Sequence, residues 1–316
     1  MSNKLISIVV PMYFEEEVAE VCYDRLSKVL KGIGYSYEIV FVNDGSTDRT
    51  LEILEGISVK DKNVKVVSFS RNFGHQIAVT AGIDKAAGDA VILIDADLQD
   101  PPELIPQMLE LWEQGYHVVY GKRKKRKGES FFKLATAKYF YRILNKLSDV
   151  AIPLDTGDFR LMDRKVVNAL KSMPEKNRFI RGMVSWVGFK QTPLEYERDE
   201  RYAGVTKYPL KKMLKFAFDG IVSFSTKPLK VSQLLGFIAV IFALMVLVYS
   251  VAYRLLGGRN LVSGWASIMT TITFLGGVQL ISIGILGEYI GRMYDQSKNR
   301  PLYIIEKEIN INEEEK

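Results

Sequence analysis

The hydrophobic pattern changes character once along the chain. Over its first part, short β-branched runs recur at residues 5–12, 38–43, 64–69, 90–94 and 117–120. The stretches between them, near 16–31, 48–58, 76–87 and 102–114, carry the apolar spacing of helices. Apolar strands alternating with helices predict an α/β fold, a parallel sheet with helices on both faces. In such sheets the ligand lies beyond the carboxyl ends of the strands. Residues that carry chemistry should therefore follow the strands directly.

Past Lys230 the alternation gives way to two long uncharged stretches. Residues 231–253 number 23 and residues 260–287 number 28. At about 1.5 Å of rise per residue, each exceeds the roughly 30 Å hydrocarbon core of a bilayer. The link between them is short and contains Gly257 and Gly258, so the two spans form an antiparallel hairpin. Lys207, Lys211, Lys212, Lys215, Lys227 and Lys230 precede the first span, and Arg292, Lys298 and Arg300 follow the second. Only Arg254 and Arg259 lie at the far end. By the positive-inside rule both termini face the cytoplasm, as expected of a multi-pass protein of the cell membrane. Gly276, Gly277, Gly284, Gly287 and Gly291 would let the second span pack closely against a neighbour. The expected organisation is an α/β domain over 1–207, an interfacial segment over 208–230, two membrane helices over 231–291 and a cytoplasmic tail over 292–316.

Composition narrows the chemistry. The chain of 316 residues carries a net charge of +6, which favours acidic partners such as phosphorylated substrates, anionic lipid or nucleic acid. The single cysteine, Cys22, excludes an internal disulfide, and one Cys with two His cannot build a Cys-rich zinc site. Cys22 is expected to pack within the first helix. The N-terminus lacks the basic-apolar-small order of a signal peptide, because the apolar run breaks at Pro11.

The segments after the strands hold the polar residues. They read Pro11-Met12-Tyr13-Phe14-Glu15-Glu16-Glu17, Asn43-Asp44-Gly45-Ser46-Thr47-Asp48, Ser70-Arg71-Asn72-Phe73-Gly74-His75-Gln76 and Asp95-Ala96-Asp97-Leu98-Gln99-Asp100. The second is also a good turn and helix cap. Asp100, followed by Pro101, Pro102 and Glu103, is expected to serve with Glu103 as a capping arrangement. Asp95 and Asp97 differ. Two carboxylates at i and i+2 leaving a strand point to the same side, and they repel unless a cation lies between them. Carboxylates, waters and a diphosphate are a usual coordination set for Mg²⁺ or Mn²⁺.

The ordered motifs PMYFEEE, VNDGSTDRT, SRNFGHQ, DADLQDPPE and GDFRLMDR, followed by two membrane spans, resemble the polyisoprenyl-phosphate glycosyltransferases of glycosyltransferase family 2. That group includes bactoprenol glucosyltransferases and dolichol-phosphate mannose synthases. The resemblance implies a GT-A fold, a nucleotide-sugar donor and a polyisoprenyl phosphate acceptor. It implies that Pro11, Tyr13 and Glu15 line the base pocket, and that Asp44 contacts the uridine or its ribose. It also implies that Asp95 and Asp97 form the DxD pair, with Asp97 and Gln99 ligating the metal. Arg71 would touch the donor or make a structural ion pair. Asp158 would stand beside the reacting groups, either as a base or in a positioning role toward Arg160 or the acceptor. A phosphate monoester is already largely dianionic at neutral pH, so a base is not obligatory. No Gln-x-x-Arg-Trp motif is present, which implies one sugar per turnover. UDP-glucose is the first choice of donor, ahead of N-acetylhexosamine, galactose and GDP-mannose donors.

The acceptor side is read from charge. Lys122, Arg123, Lys124, Lys125, Arg126 and Lys127 follow the fifth strand, and Arg123, nearest the strand end, suits a phosphate. Residues 131–147 and 208–224 mix aromatic and aliphatic positions with lysine and arginine, as helices lying on anionic lipid do. Residues 201–207 read as a mobile glycine loop whose Arg201 and Lys207 come near phosphates, by resemblance to the family. Residues 301–305 read as a short strand, far from the sheet, that invites pairing with another subunit. Resemblance to bacterial members likewise suggests a homo-oligomer, such as a tetramer. Two other readings compete: a catalytically silent membrane scaffold, and an anchored nucleic-acid binder, which lipid beside a membrane hairpin makes the poorer explanation of the charge.

Overall fold

The computed structural model describes residues 4–124, 156–197, 222, 225–255 and 264–311. Two compact units emerge. One holds the N-terminal α/β region together with the segment from Arg300 onward, and the other holds the two long helices.

In the first unit, β1 (Leu5–Met12), β2 (Ser36–Asn43), β3 (Val64–Phe69) and β4 (Ala90–Leu93) are joined by α1 (Ala19–Leu30), α2 (Thr50–Lys60) and α3 (His75–Lys85). A 3₁₀ turn at Pro102–Leu104 leads into α4 (Ile105–Glu113) and β5 (Val118–Arg123). There follow β6 (Thr156–Asp163), α5 (Arg164–Lys171), α6 (Ile180–Trp186), β7 (Gln191–Tyr196) and, after the long helices, β8 (Ile305–Ile309). Among the described residues these strands make one sheet in the order β7-β5-β6-β4-β1-β2-β3-β8. Ile8, Val10, Ile39, Phe41 and Ile92 are completely buried within it. Runs of β-branched side chains covered on both faces give the near-continuous apolar strands of a parallel sheet. Helix α3 lies close on this surface, and a Cβ at Gly82 would sit 2.2 Å from Val9 Cγ1, so only glycine fits there. Cys22 is buried on α1, as expected, and burial pushes its thiol up to about 12.

Two expectations need correction. The sheet is mixed: β6 runs antiparallel to both β4 and β5. The charges of Asp158, Arg160 and Asp163 interrupt its apolar pattern, which hid a strand buried on both faces. The C-terminal strand begins at Ile305 rather than ending there, and it pairs antiparallel with β3 of the same chain. Its Ile-Glu-Lys-Glu-Ile alternation suits a sheet edge with one wet face, and it covers the otherwise open edge of β3. The strand therefore gives no reason to invoke a second subunit.

The second unit is a helical hairpin, α7 (Lys227–Leu255) and α8 (Trp265–Ser297). The helices run antiparallel. Phe242 meets Phe274 with ring centroids 5.8 Å apart, while a groove of about 490 Å³ nearer the other end is lined by Pro228, Val231, Gly284 and Ile285. The stretches Lys227–Tyr249 and Thr270–Ser297 have mean hydropathy 2.6 and 1.6, and almost none of their side chains are buried within the protein. Leu234, Phe237, Leu280 and Ile283 are each more than half exposed. Apolar surface of that extent needs a cover that the described residues do not supply.

Charge is also buried at the end of the sheet remote from the strand carboxyl termini. Glu38 on β2 accepts from Ser7 Oγ and Ala87 N–H and pairs with Lys65 Nζ at 2.9 Å. Both side chains are almost fully enclosed. Removing one member of such a pair leaves the other charge stranded. Glu38→Ala should therefore destabilise the α/β unit by about 3 kcal/mol. The measurement is the unfolding midpoint of the detergent-solubilised full chain, and an unchanged midpoint would contradict this role.

Candidate active site

Every strand from β1 to β4 ends at the same rim, and the loops there are tied to one another. After β1, Tyr13 and Phe14 are exposed with ring centroids 4.4 Å apart, and Phe14 takes a left-handed φ of 54°. Phe14 N–H donates to Ser46 Oγ at 3.1 Å and Glu15 N–H to Thr50 Oγ1 at 3.0 Å, which pins this loop to the one after β2. Pro11 is buried just beneath. Asp48 accepts from Thr50 N–H at the start of α2, so part of this loop does act as a cap.

Asp44 is buried, and its carboxylate faces the loop after β3. It accepts from Phe73 N–H at 2.7 Å, from Gly74 N–H and from Asn72 Nδ2. Burial raises its pKa, against the pull of the Phe73 and Gly74 N–H groups. The two loops nearly touch at Gly45, whose φ is +66° and where a Cβ would meet the Arg71 carbonyl carbon at 2.3 Å. Arg71 itself is exposed and lies over the Phe73 ring, 4.0 Å from its centroid.

The centre of the rim is acidic. After β4, half-buried Asp95, Asp97 and Gln99 alternate with buried Ala96, Leu98 and Asp100, so the two expected carboxylates do leave the sheet on one side. Asp97 Oδ1 accepts the Gln99 N–H at 3.2 Å. Because β6 is antiparallel, it starts where β4 and β5 end, and this delivers Asp158 to Asp95. His75, at the first turn of α3, completes the group: potential ligand atoms of His75, Asp95 and Asp158 all lie within 4.8 Å of one another. The expected set was Asp95, Asp97 and Gln99.

These three residues are not electrostatically alike. Asp158 is buried, which alone would raise its pKa, but Arg181 and His75 outweigh burial and hold it well below the usual carboxylate range. Arg181 Nε donates to Asp158 Oδ1 at 2.7 Å and His75 Nε2 to Oδ2 at 3.1 Å. Burial pulls His75 down, yet the hydrogen bond to Asp158 and the charges of Asp95 and Asp158 lift it to about 9, so it is a cation at neutral pH. Asp95 is pushed up to about 6 by burial, with Asp158, Asp100 and Asp97 adding to the effect against His75. Its Oδ1 is buried with no hydrogen-bond partner among the described residues, and His75 Nε2 stands 3.8 Å away, beyond hydrogen-bond reach. A buried carboxylate oxygen left unmatched is what a divalent cation would satisfy. The described residues therefore fit a divalent cation at Asp95, whose open oxygen lies in the group it forms with His75 and Asp158.

Other expected residues fall differently. Arg160 is buried and donates to the carbonyl oxygens of Asp158 and Gly157, so it braces the Asp158 backbone rather than being oriented by its carboxylate. Burial lowers it to about 10. Arg123 is mostly buried, with Nη2 3.6 Å from Asp100 Oδ1 and Nε on Tyr196 OH at 3.4 Å. Asp100 is not a helix cap: it is fully buried against the Tyr196 hydroxyl and Arg123. Glu103 makes a two-point pair with Arg25 at 2.8 Å instead of capping. Lys122 pairs with Glu195. Residues 125–127, Arg201, Lys207, the run 131–147 and most of 208–224 lie outside the described residues.

Sequence reasoning missed Arg181 and Gln76. Gln76 Oε1 accepts the Ile180 N–H at 3.0 Å, and its Nε2 approaches Asp158 at 3.5 Å, so it joins α3 to the start of α6. The available signal was one arginine inside the apolar run Phe179-Ile180-Arg181-Gly182-Met183-Val184.

Fold and rim together define an α/β transferase of the GT-A type. The model for "Glycosyl transferase family 2" matches residues 7–171, and that for "GtrB C-terminal hairpin" matches residues 227–293. An uncharacterised glycosyltransferase of Bacillus subtilis (strain 168), YkcC, is 54% identical over 96% of this chain and 94% of its own. A bactoprenol glucosyl transferase of Shigella phage SfV is 46% identical over 96% and 98%. A glucosyl-3-phosphoglycerate synthase from Mycobacterium tuberculosis, solved with Mn²⁺, UDP-glucose and glycerol 3-phosphate, is 21% identical over 70% of this chain and 79% of its own, with a TM-score of 0.47. The chain belongs to glycosyltransferase family 2. It is a hexosyltransferase that associates with the membrane through its hairpin.

Arg181→Lys keeps a charge opposite Asp158 but loses the planar fork. Sugar transfer should fall about tenfold, the scale of one charge-assisted hydrogen bond, with little change in unfolding midpoint. Undiminished transfer would remove Arg181 from the site.

Proposed function

We propose that this protein transfers one glucosyl unit from UDP-glucose to undecaprenyl phosphate, or a closely similar polyisoprenyl phosphate, with inversion at the anomeric carbon. The reaction takes place at the cytoplasmic face of the plasma membrane. One observation carries the reading: a buried, unmatched carboxylate oxygen of Asp95 at the sheet rim, flanked by the Asp158–His75–Arg181 ion cluster, in a chain with its own membrane hairpin. The relatives named bactoprenol glucosyl transferase support both the sugar and the lipid.

Each part of the rim has a task in this reaction. The exposed Tyr13 and Phe14 rings offer a face for the uracil base, with Pro11 and Glu15 shaping the pocket floor and edge. Asp44 acts through the loop it holds, setting the backbone at 72–74 against the nucleotide. Arg71, lying over the Phe73 ring, would meet the diphosphate. Mg²⁺ or Mn²⁺ at Asp95 and Asp97 would neutralise the charge that grows on the leaving UDP.

Asp158 is the positioning residue at the reacting end. A carboxylate held well below its ordinary range, with both oxygens engaged, is a weak base. The acceptor phosphate supplies its own nucleophilic oxygen. Asp158 instead fixes two cations, His75 and Arg181, where an anionic acceptor must approach. The acceptor phosphate oxygen forms its bond to the anomeric carbon from the face opposite the diphosphate, and the bond from that carbon to UDP breaks with its electron pair leaving on the terminal phosphate oxygen of UDP. Lysine and arginine flanking the hairpin, with both termini in the cytoplasm, would hold the domain against anionic lipid.

The test is transfer from a panel of radiolabelled nucleotide-sugars to undecaprenyl phosphate in membranes containing the protein. UDP-glucose should give a lipid-linked sugar, and excess chelator or Asp97→Ala should lower the rate at least about a hundredfold without loss of membrane-bound protein. Full turnover in chelator would sink the metal role, and transfer from another donor alone would sink the glucosyl assignment.

A further inference from the structure

The segment after α8 does more than cover the edge of β3. Tyr303 lies half-buried just before β8, and its ring stacks on Phe69, the last residue of β3, with centroids 5.1 Å apart and planes 20° from parallel. Phe69 in turn meets Phe73 edge-on at 5.6 Å. Phe73 is the residue whose N–H donates to Asp44 and whose ring carries the Arg71 guanidinium. One residue further on, Ser70 N–H donates to Ile304 O at 3.1 Å. The loop 70–74 thus has two supports, Asp44 on one side and the 303–304 segment on the other, and it runs directly into His75.

The segment is itself anchored from several directions. Tyr303 OH donates to Asp84 Oδ2 at 3.1 Å, on the far turn of α3. Lys85 pairs with Glu308 at 2.6 Å, and Lys307 with Glu55 on α2 at 2.7 Å. Asn310 Nδ2 donates to the carbonyl oxygens of Ser58 and Val64. An aromatic side chain fixed at both its ring face and its hydroxyl is rigid support, and the row of three rings leads from it to the loop.

We infer that Tyr303 is a positioning residue for the nucleotide-sugar: by bracing Phe69 and Phe73 it holds loop 70–74, with Arg71, in the conformation that binds the diphosphate. This rests on the donor-binding role given to that loop above. A segment that emerges from the membrane hairpin thereby sets the donor site, which ties correct return of the chain from the bilayer to nucleotide affinity.

The experiment measures UDP affinity by calorimetry, and KM for the nucleotide-sugar and for the lipid phosphate separately, on the full-length chain in detergent. Tyr303→Ala should weaken UDP binding and raise the donor KM by about fivefold, the scale of one aromatic pair, with the lipid KM unmoved. Tyr303→Phe, which keeps the stack and loses only the hydroxyl, should restore donor KM to within about twofold of the parent. Tyr303→Leu, which fills the space without a flat ring, should fall between them and stands in if the alanine variant does not fold. Lys307→Ala, on the same segment but facing α2, reports loss of segment stability alone and should leave donor KM unchanged. Donor KM and UDP affinity unchanged in the alanine and leucine variants, whatever happens to the melting temperature, would overturn the inference. So would an equal rise in donor KM for Lys307→Ala. A parent protein that binds no UDP would instead overturn the underlying donor-site reading, and the inference with it.

Discussion

Negative charge converging at the rim of the sheet is the constraint around which this protein is arranged. Asp44, Asp95 and Asp158 all sit at the rim where β1 to β4 end, and carboxylates brought together out of water repel. The fold answers each in a different way. Backbone N–H groups of the β3–α3 loop meet Asp44, and the guanidinium of Arg181 and the imidazolium of His75 meet Asp158. Asp95 is left with an oxygen that no described group satisfies. The compensated carboxylates thereby hold loops and cations in place.

The antiparallel strand β6 makes this possible. Were it parallel, its charged first residues would open at the opposite end of the sheet, and Asp158 could not reach Asp95 or His75. Inserted between β4 and β5 in the reverse sense, it brings a buried acid to the place where the parallel strands deliver theirs. Arg160, two residues on, then spends its donors on the backbone that carries Asp158, stiffening the strand where it bears charge. Other buried charge, at Glu38 and Lys65, is paired within the protein and belongs to architecture.

Much of this was legible in residue order, and the failures have physical causes. Strands β1 and β3 are mostly apolar runs and were read with their true limits, while α1 to α4 were placed to within a few residues. The post-strand loops declared themselves because polar residues there interrupt strong apolar signals. Strand β6 stayed hidden because its Asp and Arg are buried by pairing, which hydrophobic periodicity cannot register. Arg181 and Gln76 act through contacts between α6 and α3, so the lone arginine in its apolar run and the glutamine closing its motif gave no sign of a shared partner. Asp100 looked like a cap because of the prolines after it, yet its partners, Tyr196 and Arg123, lie on β7 and β5. The last strand was read near its true place but assigned the wrong kind of partner, since no local feature tells an edge strand which edge it will find.

The claim that Asp95 is the open valence of an otherwise neutralised rim can be tested by locating the ion itself. Crystals of the full chain grown with UDP and Mn²⁺, measured at the manganese absorption edge, should show one anomalous peak bonded to Asp95 or Asp97, with His75 and Arg181 still on Asp158. A peak bonded to His75 and Asp158 with that ion cluster broken, or no peak at the rim while UDP is bound, would contradict it.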